Sequence, residues 1–175
     1  PGFGCADMAS VPPEDWRKLE MTGGRRMADS VRWLIAGAGD IARKRVAPAL
    51  RDADGSMIAA VCDPAVDRAG NLARDFDVGE VYADYREALR SSVANAVYIA
   101  TPVGLHVPMA VKAMRAGKHV LVEKPMCLDP REAWALVEAS KRARRELVVS
   151  YGWHYKPQLG KARQLIERIG AIEHV

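Results

Sequence analysis

The chain has 175 residues, of which 49% are hydrophobic and 27% are charged. This length suits one domain, or one domain and the start of another, and the composition is that of an ordinary globular protein. No apolar run reaches the roughly 18 to 20 residues of a membrane helix, so we expect no membrane partner. Three scattered cysteines argue against a disulfide scaffold or a metal site. The basic residues behind the net charge of +4 are dispersed, so no nucleic-acid partner is expected.

Residues 1–30 show no sustained periodicity and contain Pro-Pro, Gly-Gly and scattered charges. This composition predicts a disordered tail. The Arg25-Arg26 pair suggests a twin-arginine export sequence, but charged residues interrupt the apolar stretch that such a sequence needs. We therefore expect a cytoplasmic protein. Residue 1 is Pro rather than Met, so the chain is expected not to be a whole gene product. Met27, which lies just before the ordered pattern, would make a natural start.

Short apolar runs alternate with helical patterns from Val31 onwards. The predicted strands are VRWLIA (31–36), MIAAVC (57–62), a short strand at 80–82, NAVYIA (95–100), HVLVE (119–123) and LVVS (147–150). The predicted helices cover about 41–52, 64–75, 84–91, a segment that ends at Gly117, about 129–145 and about 157–169. In the helix before Gly117, the i, i+3, i+4, i+7 spacing predicts four buried residues, namely Val107, Ala110, Val111 and Met114.

Valine- and isoleucine-rich strands that do not alternate, separated by helices, predict a parallel sheet covered on both faces. Right-handed crossovers then give an α/β fold with a doubly wound parallel sheet, the Rossmann NAD(P)-binding fold. We assign residues 31–150 to this dinucleotide-binding domain. The pattern changes after Ser150, and residues 151–175, including the fragment AIEHV (171–175), are interpreted as the beginning of a truncated α+β substrate domain.

A glycine-rich turn follows the first strand. It has the form G-x-G-x-x-A, lies between a strand and a helix, and therefore predicts a dinucleotide site. Gly37 permits the tight turn, and Gly39 lets the backbone approach a pyrophosphate. Ala42 keeps the helix close to the sheet, so that the amides around Asp40 and Ile41 point at the phosphates. The alternative is a glycine-rich turn without a ligand.

Asp63 ends the second strand, where a carboxylate accepts hydrogen bonds from the adenosine ribose and repels a 2′-phosphate. This favours NAD over NADP as the cofactor. The alternative is that Asp63-Pro64 only caps a helix, and Arg68 would soften the repulsion. After the fourth strand, Thr101 and Pro102 are expected to contact the nicotinamide. His106 is either a further cofactor contact or a structural residue.

Glu123, Lys124 and Pro125 follow the fifth strand. A charged pair directly behind a buried strand is expected to be partly desolvated and to serve a ligand. We predict Lys124 as the catalytic residue that hydrogen-bonds a substrate hydroxyl or the nicotinamide ribose, with Glu123 positioning it and compensating its charge. The alternative is a structural ion pair. The Lys124-Pro125 bond is either cis or trans.

An aromatic segment, Tyr151 to Pro157, follows the last strand and contains Trp153 and His154. It is typical of a cleft that binds sugar-like ligands, or of a domain junction. All of the candidate segments follow the carboxyl ends of predicted parallel strands. Because ligands of open α/β sheets bind at that edge, the candidates converge on one site.

The strings GAGDIA, AVCDP, YIATPVGLH and AGKHVLVEKP resemble the Gfo/Idh/MocA oxidoreductase family, which includes glucose–fructose oxidoreductase and inositol dehydrogenase. The resemblance covers about residues 31–175, and AGKHVLVEKP (116–125) is its most specific part. It implies an NAD(P)-binding domain, a homo-oligomeric full-length protein, and cofactor or substrate contacts from the residues already singled out. These are Gly37, Gly39, Asp63, Thr101, Pro102, His106, Glu123, Lys124, and Trp153 or His154.

The chain departs from the family's pattern in length. Family members are about twice as long, and their second domain carries an Asp-x-x-x-His motif whose histidine acts as the acid–base. That motif is absent here, which predicts cofactor binding with little turnover by the 175 residues alone. The expected function is an NAD(P)-dependent oxidoreductase that acts on a sugar, cyclitol or related polyol. The alternatives are an NAD-dependent glycosidase of the same family and a non-catalytic nucleotide-binding module.

Overall fold

The computed structural model describes residues 30–168, apart from the side chains of His154 and Glu167. Its strands are β1 (Val31–Ala36), β2 (Ser56–Cys62), β3 (Glu80–Tyr82), β4 (Ala96–Ile99), β5 (His119–Val122) and β6 (Leu147–Val149). Its α-helices are α1 (Ala47–Asp52), α2 (Val66–Asp75), α3 (Tyr85–Ser91), α4 (His106–Arg115), α5 (Pro130–Ala143) and α6 (Pro157–Leu165). A π-helical segment, Ala42–Val46, leads into α1, and short 3₁₀ turns cover Val103–Leu105, Gly152–Tyr155 and Ile166–Arg168.

The six strands form one parallel sheet in the order β3-β2-β1-β4-β5-β6. All of the strand pairs are parallel, and β1 lies between β2 and β4 at the centre. Successive strands are therefore added in one direction from β1 to β3 and in the opposite direction from β4 to β6. This change of direction opens a crevice between the carboxyl ends of β1 and β4. The predicted doubly wound Rossmann fold is confirmed.

Two apolar cores cover the two faces of the sheet. Leu34, Val97 and Val120 face one core, which α4 and α5 complete through residues such as Ala113 and Leu136. The opposite core is built from the alternate strand positions and is closed by the π-helical segment, α1 and α2. Its buried members include Ile35, Val61, Leu72 and Tyr98. Strand β4 is buried at every position, and β1 and β2 are buried towards their carboxyl ends, which explains their largely apolar sequences. The edge strands β3 and β6 are only half-buried or exposed.

The ends of the helices follow local chemistry. The Asp129 carboxylate accepts a hydrogen bond from the Arg131 N–H at 2.7 Å and caps α5, with Pro130 in the first turn. Gly117 ends α4 with a φ of 78°, as the sequence predicts. Helix α5 ends at Ala143, earlier than predicted, because Arg144 adopts a left-handed conformation with a φ of 52°.

Two further predictions change in the structure. The predicted α-helix over 41–52 begins as a π-helix. We attribute this to Pro48, because its nitrogen cannot donate a hydrogen bond to the Lys44 carbonyl. In a regular α-helix its ring would also crowd that carbonyl. In α4, Val107 and Val111 are half-buried, whereas Ala113 is fully buried. Most of the predicted tail (1–29) and the end of the chain, including AIEHV (171–175), lie outside the described residues.

None of the helices within residues 30–168 is long and apolar enough to cross a bilayer. The same part of the chain shows no group of three or more His, Cys, Asp or Glu side chains arranged to hold a metal ion.

Candidate functional site

The carboxyl edge of the sheet gathers the loops that carry the candidate residues. The glycine-rich turn follows β1, Asp63 follows β2, Thr101 follows β4, and Glu123 follows β5. Because β1, β2, β4 and β5 are neighbours in one parallel sheet, these loops are adjacent although they are far apart in sequence.

Gly37 occupies a position that only glycine fits. Its φ is 101°, and a Cβ built there would lie 2.6 Å from the carbonyl oxygen of Ala100, at the end of β4. Its N–H donates to the carbonyl of Cys62 at 2.8 Å. The turn therefore passes the end of β4 in direct backbone contact, and the positive φ of Gly37 agrees with the tight turn that the sequence predicts for this glycine.

Gly39 has the opposite environment. No atom lies within 4 Å of the position that its Cβ would take, so the chain faces open space there. Ala42, at the start of the helical segment, is fully buried, as expected of a residue that keeps the helix close to the sheet. Asp40 is exposed and pairs with Lys44 at 2.6 Å, and Ile41 is also exposed. A helix start beside open space suits an anionic ligand.

Asp63 is only 5% exposed, and its carboxylate is already well hydrogen-bonded. Oδ2 accepts from the Ala38 N–H at 2.9 Å, and Oδ1 accepts from the Ala65 N–H at 2.8 Å and from Arg68 at 3.1 Å. A carboxylate has about four lone-pair sites, so one site on Oδ2 is left for a ribose hydroxyl. The Asp63 carboxylate also links the glycine-rich turn to the start of α2. The alternative prediction, that Asp63 caps a helix, therefore describes part of its role.

His106 is buried, and both of its ring nitrogens face backbone carbonyls. Nδ1 lies 2.9 Å from the Pro125 oxygen, and Nε2 lies 2.8 Å from the Thr101 oxygen. The ring therefore ties the loop after β4 to the loop after β5. This geometry favours the structural alternative for His106 over direct contact with a cofactor.

Thr101 and Pro102 lie at the end of β4. The Thr101 hydroxyl donates to the Met109 sulfur at 3.4 Å, while Pro102 is exposed. The Lys124-Pro125 bond is cis.

Glu123 and Lys124 differ in their surroundings. Glu123 is half-buried, as predicted: Oε1 accepts from the Tyr98 hydroxyl at 2.6 Å, and Oε2 accepts from the Lys124 backbone N–H at 3.1 Å. Lys124 is exposed, so the prediction that it is desolvated is wrong. Among the described residues its amine has no carboxylate within ion-pair distance. The alternative of a structural ion pair between the two residues is therefore also wrong.

The aromatic segment after β6 is largely exposed. Trp153 is 69% exposed, and the Lys156 amine lies 3.8 Å from its ring centroid in a cation–π contact. Tyr151 and Tyr155 are also exposed. The side chain of His154 lies outside the described residues.

A separate cavity of about 540 Å³ lies between α4 and α5, at the amino ends of the strands. Three arginines line it, and two of them donate to carbonyls near the helix ends: Arg142 to Glu138 and Arg145 to Gly117. Arg145 thereby satisfies the Gly117 carbonyl just beyond the end of α4, whereas the Glu138 carbonyl lies within α5. The cavity is at the opposite edge of the sheet from the candidate site.

Tyr98 is the residue at this edge that the sequence analysis missed. Its side chain is fully buried, and burial, followed by the hydrogen bond from its hydroxyl to Glu123, raises the pKa of Tyr98. A tyrosine in a short strand of Ala, Val and Ile was the available clue, because a buried tyrosine hydroxyl needs a partner.

The sheet order and the glycine-rich first turn define the Rossmann class of dinucleotide-binding folds. Within that class, the chain belongs to the Gfo/Idh/MocA family: the family model, described as "Oxidoreductase family, NAD-binding Rossmann fold", matches residues 31–151. The resemblance drawn from the sequence is confirmed.

Three relatives illustrate the family. An uncharacterized oxidoreductase of Rhizobium meliloti is 40% identical over 119 residues, which is 68% of this chain and 36% of that protein. The scyllo-inositol 2-dehydrogenase (NADP(+)) of Bacillus subtilis is 29% identical over 81% of this chain and 43% of its own length. A glycosyl hydrolase family 109 protein of Saccharopolyspora erythraea is 34% identical over 69% of this chain and 28% of its own length. The chain thus spans less than half of each relative.

Two solved structures share the fold. KijD10, a 3-ketoreductase from Actinomadura kijaniata in complex with NADP and TDP-benzene, has a TM-score of 0.76 and 29% identity, over 79% of this chain and 42% of that one. The scyllo-inositol dehydrogenase of Lactobacillus casei with bound NAD(H) and scyllo-inositol has a TM-score of 0.74 and 21% identity, over 79% of this chain and 41% of that one. The two structures thus contain different cofactors, NADP in KijD10 and NAD(H) in the Lactobacillus casei enzyme.

Proposed function

We propose that this chain is the cofactor-binding part of an NAD(P)-dependent oxidoreductase that moves a hydride between the nicotinamide and a carbinol carbon of a sugar, cyclitol or related polyol. One observation carries the proposal. Lys124, whose amine is exposed and has no carboxylate partner among the described residues, follows β5 at the same sheet edge as the glycine-rich turn after β1. An unpaired amine beside a dinucleotide turn is the arrangement that hydride-transfer chemistry on a hydroxyl needs.

The residues at this edge fit a dinucleotide. The open space at Gly39 leaves room for a pyrophosphate against the backbone, and the amides at Asp40, Ile41 and Ala42 are the donors that would hold it. The free lone-pair site on Asp63 suits a ribose hydroxyl. Thr101 is the proposed neighbour of the nicotinamide ring.

We favour NAD over NADP. The Asp63 carboxylate would repel a 2′-phosphate, and it is held rigidly by two backbone amides. Arg68 weakens this repulsion of a 2′-phosphate, because its guanidinium lies 3.1 Å from the Asp63 carboxylate and its side chain is 63% exposed. The preference for NAD over NADP should therefore be moderate. This is consistent with the similar structures, which contain NADP in one case and NAD(H) in the other.

When bound, the nicotinamide supplies the hydride acceptor or donor. The Lys124 amine is the proposed group that donates a hydrogen bond to the reacting hydroxyl and stabilises negative charge on its oxygen. Trp153 and His154 are the proposed substrate-facing residues. Family resemblance adds a histidine of a second domain as acid–base, and this chain does not contain the corresponding motif. The cytoplasmic location and the homo-oligomeric full-length form stay predictions.

The proposal is tested by titrating the chain with NAD, NADP and ADP-ribose in a calorimeter. We expect saturable binding of NAD and weaker binding of NADP. We also expect that Lys124→Ala leaves the binding of ADP-ribose unchanged. In contrast, Lys124→Ala should weaken NADH binding if the amine contacts the nicotinamide ribose. An absence of heat with both NAD and NADP would contradict the proposal.

The second candidate is an NAD-dependent glycosidase, favoured by the 34% identical glycosyl hydrolase family 109 relative. The two reactions differ in their net products. In the full-length protein, NADH accumulation with a free polyol would support the oxidoreductase. Release of an aglycone from a glycoside without net NADH would support the glycosidase.

A further inference from the structure

Tyr98 brings a buried hydroxyl to the candidate site from inside the sheet. Its side chain is fully buried between β1, β5 and the helical layer that closes that face, and its hydroxyl donates to Glu123 Oε1 at 2.6 Å. The raised pKa of Tyr98 keeps this hydroxyl protonated, so it acts as a donor throughout the physiological pH range.

The Glu123 carboxylate is therefore held on both oxygens. Tyr98 holds Oε1, and the backbone N–H of Lys124 holds Oε2 at 3.1 Å. The Lys124 amine is on the residue directly after Glu123, yet the two side chains form no ion pair in the described part of the chain. If the Tyr98 hydroxyl were absent, the carboxylate would be free to turn towards the Lys124 amine of the adjacent residue.

We infer that Tyr98 is a positioning residue for the proposed hydride-transfer site. The Tyr98 hydroxyl holds Glu123 Oε1, so that Oε2 stays hydrogen-bonded to the backbone N–H of Lys124. The Lys124 amine therefore stays free for the ligand. This role rests on the proposed function, and it acts through Glu123 rather than through contact with the cofactor. Tyr98 lies outside both the glycine-rich turn and the Glu123-Lys124-Pro125 segment.

The test compares Tyr98→Phe with Tyr85→Phe. Both variants remove one hydroxyl from a largely buried tyrosine, but the Tyr85 hydroxyl donates to the Met109 carbonyl at 3.1 Å, away from Glu123. The first measurement is the amide proton shift of Lys124 by NMR, which reports the contact with the carboxylate directly and needs no nucleotide. We expect Tyr98→Phe to move this resonance upfield and Tyr85→Phe to leave it in place.

The second measurement is a double-mutant cycle on NADH affinity with Tyr98→Phe and Glu123→Gln. Loss of one positioning hydrogen bond should weaken binding about fivefold, equivalent to about 1 kcal/mol. Because Tyr98 acts through Glu123, adding Tyr98→Phe to Glu123→Gln should cause no further loss. Tyr85→Phe should change the affinity by less than about twofold.

An unchanged Lys124 amide in Tyr98→Phe, or additive losses in the cycle, would overturn the inference. If the unsubstituted chain binds no NADH, the proposed function fails, and the amide comparison still decides whether Tyr98 positions Glu123. If Tyr98→Phe does not fold, Glu123→Gln tests the same contact from the other side: the Tyr98 ring resonances must shift, and their constancy would refute the contact.

Discussion

Gly37→Ala should destabilise the protein strongly, because the backbone at this position has no room for a methyl group. The φ of 101° is unfavourable for any residue with a Cβ, which costs about 1–2 kcal/mol. The new Cβ would also lie 2.6 Å from the Ala100 oxygen and 2.8 Å from its carbonyl carbon. These are backbone atoms that cannot rotate away, and such overpacking costs about 1–3 kcal/mol. The expected loss is about 2–5 kcal/mol.

Gly39→Ala is the matched control, since its methyl group would enter open space. Its stability should stay within about 0.5 kcal/mol of the original chain, while its affinity for NAD falls because the methyl group occupies space proposed for the pyrophosphate. Urea unfolding followed by circular dichroism measures both variants. With a slope of about 2 kcal/mol per molar urea, Gly37→Ala should lower the midpoint by about 1–2.5 M. Equal midpoints for the two variants would refute the described turn.

Three other predictions concern pH, packing and cofactor choice. Burial raises the pKa of Cys62 from 9.0 to about 11, so the thiol ionises first in the unfolded chain. The free energy of unfolding should then fall as pH rises above about 9, by up to about 1.4 kcal/mol per pH unit. Urea midpoints between about pH 8 and 10 should show a smaller slope in Cys62→Ala, and an equal slope would contradict the assignment. His106→Ala should lower stability by about 2–4 kcal/mol, because it removes a buried ring and leaves at least one of the Thr101 and Pro125 carbonyls without the ring N–H that it accepts; a loss below about 1 kcal/mol in urea unfolding would show that the ring does not join the two loops. Arg68→Ala should increase the ratio of NAD affinity to NADP affinity measured by calorimetry, because the charge of Asp63 is then uncompensated. A smaller ratio would contradict the roles given to both residues.

The sheet was predictable because the sequence of a strand shows by itself that the strand is apolar and buried. The central strands β1, β2 and β4 are buried on both faces towards their carboxyl ends, so a largely apolar run such as VRWLIA marks a strand without knowledge of its neighbours. Gly117 and the cap at Asp129 were predictable for the same reason, since each acts within a few residues of its own helix. The positions of the loops then followed from the parallel topology.

The details of the site depend on contacts between strands, which a single sequence does not specify. The hydrogen bond from Tyr98 to Glu123 joins β4 to the end of β5, and it decides that the carboxylate is not paired with Lys124. The sequence showed two adjacent charges, and without the tyrosine their pairing was a reasonable alternative. The structural role of His106 depends in the same way on the Pro125 carbonyl of another loop.

We propose that a nicotinamide dinucleotide binds at the carboxyl edge of this sheet. The most direct test is a ¹H–¹⁵N NMR titration of the chain with NAD. We predict that the shifted amides cluster at Gly39, Ile41, Asp63, Thr101 and Lys124. Shifts confined to the arginine-lined cavity at the opposite edge, or no shifts at saturating NAD, would contradict the claim.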